Sequence, residues 1–169
     1  MSTLGRTAIA ALTIVTLAGS ASAAAKDEEA IKARVAAFIE LFNKGDAKAM
    51  GAFWTDDATL VNPAGVKGTG RAEVEKILAN DSATILKGAK MTMNVSQIRM
   101  VGRDAAWIEI DHGLTGATGP DGKPMPPMTF HVPCLMVKKG KDWLIAEARP
   151  YAYLPPPPDK MAAAKTDKK

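Results

Sequence analysis

Between Ile31 and Gly65 the hydrophobic periodicity changes in a fixed order, and that order limits the architecture more than any other feature of the chain. Ile31, Val35, Phe38, Ile39 and Phe42 recur at helical spacing and line one face of a helix over residues 27–43. Lys32, Arg34, Glu40 and Lys44 fall on or near its other face. Gly45 stops this helix, and Asp46 caps a second, short one by accepting its free first-turn amides. That helix ends around Trp54, a strand runs over residues 58–62, and Asn62-Pro63-Ala64-Gly65 turns the chain.

Gly68, Gly70 and Arg71 lead into a third helix with Val74, Ile77 and Leu78 on one side, followed by a polar link through Asn80, Asp81 and Ser82. The remainder is strand-like over residues 91–101, 105–114, 128–138 and 143–150, with turns at Gly102-Arg103-Asp104 and Lys139-Gly140-Lys141. Glycine and proline crowd residues 115–127, which excludes regular structure there. Such a loop either covers a binding site or forms an extended hairpin tip. Three helices, a strand before the third and a four-strand meander predict an α+β fold with helices packed on one face of a mainly antiparallel sheet.

The two ends read differently from the middle. Residues 1–23 combine Arg6, a small and aliphatic run, and Ala21-Ser22-Ala23, the pattern of a secretory signal peptide cleaved after Ala23. The apolar run is shorter than the roughly 20 residues a membrane span needs, so no stable membrane anchor is expected. Residues 24–153 form the domain, and residues 154–169, with their proline run at 155–158, form an extended, disordered tail. The reading therefore places the protein in the periplasm or outside the cell. Setting aside Arg6 and everything after Pro158 leaves 17 basic against 16 acidic residues. The positive charge belongs to the tail, and no basic stripe marks the domain as a nucleic-acid binder. The single cysteine, Cys134, cannot form an internal disulfide and reads as a buried apolar filler.

The order of an apolar-faced helix ending in Asn43-Lys44-Gly45, a helix capped by Asp46 and a strand entering an Asn-Pro-x-Gly turn resembles the entry of the SnoaL-like and ketosteroid-isomerase-like branch of the NTF2-like superfamily. The resemblance covers nearly the whole domain. It implies a cone-shaped α+β domain built around one pocket, and a homodimer formed through the outer sheet face.

The resemblance also allows the isomerase chemistry to be tested position by position. The family's base, an aspartate directly before the turn proline, is here Asn62, whose amide cannot take up a proton near neutrality. The donor tyrosine on the first helix is here Phe38, which offers no hydroxyl. The protonated acid on the next-to-last strand has no counterpart, since no Asp or Glu stands between Asp121 and Asp142. All three roles are vacated.

A different polar set remains. Trp107, Glu109 and Asp111 share one side of their strand, and Ile108, Ile110 and His112 share the other. Either the aliphatic side is buried with His112 closing its row, or Asp111 and His112 sit at the cone mouth. His131 opposes Phe130, Val132, Cys134 and Met136, and Arg149 follows Trp143, Ile145 and Glu147. A two-residue turn at Gly140 and Lys141 puts His131 and Arg149 on opposite faces; a loop one residue longer puts them together. The short metal-binding spacings and a phosphate-cradling glycine loop are absent, so neither a metal nor another cofactor is expected. The candidate ligand-binding residues are Phe38, Trp54, Asn62, Trp107, Asp111, His112, His131, Glu147 and Arg149. The expected function is binding of a small, mostly apolar molecule. The alternatives are an enzyme using His131, Asp111 or Glu147, and a dimerising module without a ligand.

Overall fold

A computed structural model describes residues 15–119 and 121–152. Residues 1–14 of the expected signal peptide, the proline run and the lysine-rich end lie outside the described residues. The elements follow the order α1 Val15–Lys44, α2 Ala47–Gly51, β1 Trp54–Val61, β2 Lys67–Thr69, α3 Arg71–Ala83, β3 Lys90–Met100, β4 Ala105–Thr115, β5 Met128–Lys139 and β6 Asp142–Ala148. The strands form one sheet in the order β2-β1-β6-β5-β4-β3, antiparallel except where β1 runs parallel to β6. This is the α+β architecture expected from the pattern.

Four boundaries depart from it. Helix α1 begins at Val15 rather than near Asp27, because the alanine-rich stretch ahead of Asp27 is a strong helix former. Strand β1 begins at Trp54, not Ala58: aromatic and β-branched residues favour the extended chain, and Phe53 O accepts the N–H of Ile145. A short β2 pairs with the end of β1, so two strands precede α3. Asn80, Asp81 and Ser82 form the last turn of α3 instead of a link, and the Thr84 hydroxyl caps it by donating to Asn80 O at 2.7 Å.

One sheet face carries the core. Ile108, Ile110 and Leu114 of β4 and Val132, Cys134 and Met136 of β5 point toward α1, which supplies Ile31, Val35, Phe38 and Phe42. Burying each such side chain contributes roughly 1.5–3 kcal/mol. At one end of the sheet Asp27 Oδ1 accepts hydrogen bonds from Lys138 Nζ at 2.6 Å and from the Trp143 indole at 3.3 Å, tying α1 to β5 and β6. The Lys138 hydrogen bond holds the Asp27 carboxyl below the usual carboxylate range.

Candidate functional site

The helices do not fill the concave side of the sheet, and a cavity of about 430 Å³ remains. Trp54, the first residue of β1, and Asn62, just past its last, both line it, so the cavity runs the length of that strand. At its inner end lie Trp54, Phe53 and Ile145, with the partly exposed Arg34 beside Phe53. Phe38, Leu60, Ile110 and Val132 form its walls. The lining residues that also face solvent, Pro63, Ala64 and Ile85, gather at the Asn62 end, which is its mouth. Residues 115–119 and 121–127 reach this end: Ala117 and Met125 line the cavity, and the Thr118 N–H donates to Ile85 O at 3.0 Å. The loop therefore folds back over the site and is not an extended hairpin tip.

The polar groups in the lining are few and unevenly satisfied. Asn62 Oδ1 accepts the N–H groups of Ala64 at 3.1 Å and Val66 at 2.9 Å, which fixes the turn after β1. Its Nδ2 donates to Asp81 Oδ2 at 3.2 Å. The other oxygen of Asp81 accepts from Asn80 Nδ2 at 3.4 Å.

His112 is 9 % exposed and packs at 5.6 Å, centroid to centroid, from Phe130. Its Nε2 is buried without a hydrogen-bond partner, and burial pushes its pKa down to about 4. The imidazole is therefore neutral at physiological pH. Cys134 is fully buried, and that burial, with a smaller effect from Glu109, pushes its thiol up to about 12, so it is no nucleophile near neutrality.

The inner end holds two more unpaired donors. The indole N–H groups of Trp107 and Trp143 reach Glu109 at 2.6 Å and Asp27 at 3.3 Å, whereas that of Trp54 is buried without a partner. Arg34 lays its guanidinium 3.6 Å from the Phe53 ring centroid and donates from Nη2 to Ala52 O at 2.9 Å, but its buried Nε has no partner. Burial lowers the Arg34 pKa and the charge of Asp142 opposes the shift.

Of the residues expected from the sequence, Phe38, Trp54, Asn62 and His112 line the cavity. Trp107, Asp111, His131, Glu147 and Arg149 lie on the opposite, outer face of the sheet, the face on which the expectation of a homodimer rests. Asp111 pairs there with His131, Oδ1 to Nδ1 3.1 Å, and Glu147 with Arg149. The burial of the aliphatic side of β4 draws His112 inward and turns Asp111 out.

His131 and Arg149 do share a face, by a route the turn length does not reveal. Lys139 pairs with Asp142 across a two-residue turn, yet Met136 pairs with Ile145 and Leu135 with Glu147. One extra residue, Ala146, bulges from β6 and reverses the facing of everything after it. Ile145 and Ala148 thus both face the cavity.

The two charged lining residues, Asp81 and Arg34, escaped the sequence reading. Asp81 continues the series Val74, Ile77, Leu78 at helical spacing, a signal masked by reading it as a link. Arg34 stands one turn before Phe38 on α1, and its long side chain reaches over Phe53 from the polar side. Among the described residues no group of three His, Cys, Asp or Glu side chains is placed to hold a metal ion. No helix among them is long and apolar enough to cross a membrane.

Comparison with known proteins agrees with this architecture. An NTF2-like protein with a cystatin-like fold from Novosphingobium aromaticivorans superposes with a TM-score of 0.68 at 15% identity, over 94% of this chain and 99% of the other. A putative scytalone dehydratase from the same organism gives 0.69 at 14% identity, over 79% and 89%. A ketosteroid isomerase-like protein from Erwinia carotovora atroseptica gives 0.64 at 20% identity, over 75% and 96%. At these identities the likeness establishes the fold. No curated protein matches the chain significantly. The sequence profile of the SnoaL-like domain matches residues 31–148. With that match running from within α1 to the end of β6, the chain belongs to the SnoaL-like domain family, on the NTF2-like, cystatin-like fold.

Proposed function

We propose that the protein binds a small, mostly apolar molecule in this cavity and does not use ketosteroid-isomerase chemistry. The observation that carries the reading is a cavity of about 430 Å³ lined almost wholly by hydrocarbon, with the Trp54 and His112 nitrogens unpaired in its wall. That size falls in the range of roughly 300–1,000 Å³ typical of small-molecule pockets. Asn62 cannot act as the base, since its amide is committed to the turn and to Asp81. Phe38 offers no hydroxyl, and the cavity face of β5 presents no acid.

The enzyme reading through His131, Asp111 or Glu147 loses its site, because these side chains lie across the sheet from the cavity. His112 does reach it, but a pKa of about 4 makes it a weak base at neutral pH. It serves better as a neutral hydrogen-bonding group. We also propose that the protein is exported and that residues 1–23 are its signal peptide.

Titration with the neutral fluorophore N-phenyl-1-naphthylamine tests the binding reading. It should give saturable binding that Ala148→Phe, which fills the cavity from β6, abolishes while circular dichroism stays unchanged. Absence of binding, or binding indifferent to that filling, would overturn it.

A further inference from the structure

The cavity is not electrically uniform along its length. Its mouth holds the Asp81 carboxylate, fixed by Asn62 and Asn80, and no basic side chain pairs with that carboxylate among the described residues. Its inner end holds the guanidinium of Arg34 and the indole of Trp54, each with a buried N–H that meets no acceptor. Trp54 is 2 % exposed, and although the Arg34 side chain is partly exposed its Nε is itself buried. Buried donors are ordinarily paired, and two unpaired ones lining the same end of one cavity leave a place for an acceptor. Arg34 remains cationic throughout the physiological range. Its charge is offset by Asp142 only at a distance, with no ion pair between them among the described residues.

We propose that this inner end is an acceptor site in which Arg34 Nε–H and Trp54 Nε1–H receive the oxygen of an apolar ligand that enters carboxylate first. The assignment rests on the reading of the cavity as a ligand site and adds to it a polarity and a chemical class, long-chain carboxylates. The ligand chain lies along β1 between Phe38, Leu60 and Ile110. Asp81 at the mouth repels a carboxylate left outside, so the reversed orientation is disfavoured. A hydrophobic amine of equal length gains nothing from the inner donors and meets the like charge of Arg34 if it enters head first; entering tail first it sets its ammonium against Asp81, so the two ligand classes are compared in Asp81→Asn, which removes that attraction.

The three tryptophans make the site readable. In a protein labelled with nitrogen-15, each indole N–H gives its own resonance, and Trp54→Phe identifies that of Trp54. Titration with dodecanoate should move the Trp54 resonance saturably and leave those of Trp107 and Trp143, already paired with Glu109 and Asp27, in place. In Asp81→Asn, dodecanoate should bind about tenfold or more tightly than dodecylamine, the size expected for hydrogen bonds to a charged group. Trp54→Phe and Arg34→Met should each remove most of that preference. Equal affinity for the two probes in Asp81→Asn, or bound dodecanoate that leaves the Trp54 resonance unmoved, would overturn the proposal. Should Arg34→Met fail to fold, the indole readout on the unaltered chain still decides. Binding of N-phenyl-1-naphthylamine without any preference for dodecanoate defeats the acceptor site alone, whereas failure of every probe defeats the cavity reading as well.

Discussion

Asn62 Nδ2 donates to Asp81 Oδ2 at 3.2 Å, joining the end of β1 to the last turn of α3 at the mouth of the cavity. The residue standing where the isomerase family keeps its base thus acts here as a donor to a carboxylate on another element. Asn62→Asp is nearly isosteric and keeps an acceptor for the turn amides, but it sets a second carboxylate against Asp81. Like charges at that distance raise the folded pKa of the pair. The variant should therefore be less stable at pH 7 by about 1–3 kcal/mol and recover as pH falls and the pair gains a proton. Urea denaturation at pH 7 and pH 5 checks the sign, and Asn62→Asp with Asp81→Asn should restore most of the loss.

His112 gives the opposite dependence. Its folded pKa of about 4 lies below the ordinary value of 6.5, because burial disfavours the charged ring. Above pH 6.5 both folded and unfolded chains carry it neutral, and no stability is lost. Between pH 6.5 and 4 the unfolded chain takes up a proton that the folded chain refuses, so stability falls, by at most roughly 3 kcal/mol. His112→Gln should match the parent's pH dependence above pH 6.5 and lack this loss below it. Melting temperatures measured from pH 8 to pH 4 for both proteins provide the test, and parallel curves would refute this role for burial.

Much of the fold was legible because helix faces and core strands obey spacing rules that burial enforces. Ile31, Phe38 and Phe42 could be placed from periodicity alone, as could the facing of Phe130 through Met136. The facing of Glu147 and Arg149 could not, since the bulge at Ala146 requires no distinctive residue and is set by how β6 packs between β5 and β1. Asp81 and Arg34 were missed for a related reason. Charged side chains on a helix normally mark its solvent face, and only the cavity beneath them reveals that these two border an interior.

Asp27 should matter more than an acidic residue near the beginning of a domain usually does. Asp27→Ala removes the acceptor of the Trp143 indole, in a residue only 2 % exposed, as well as the partner of Lys138. An unpaired buried donor costs about 1–3 kcal/mol, while alanine's better helix propensity returns a fraction of a kcal/mol. The expected net result is a lower midpoint of urea unfolding with an unchanged slope. A variant as stable as its parent would show that the α1 tie is dispensable.

Export predicts a defined mature end. Cleavage after Ala23 removes the first part of α1 but leaves Asp27, and with it the tie to β5 and β6. Mass spectrometry of protein recovered outside the cytoplasm should find a chain beginning at Ala24. A chain still carrying Met1 would contradict the assignment.

The space between α1 and the sheet is a binding site for an apolar molecule, and calorimetric titration of the neutral N-phenyl-1-naphthylamine at several temperatures tests this most directly. Burial of an apolar molecule within the cavity predicts one molecule bound per chain with a negative heat-capacity change, both lost in Ala148→Phe. Absence of saturable binding, or binding whose heat does not vary with temperature and survives that substitution, would contradict the account.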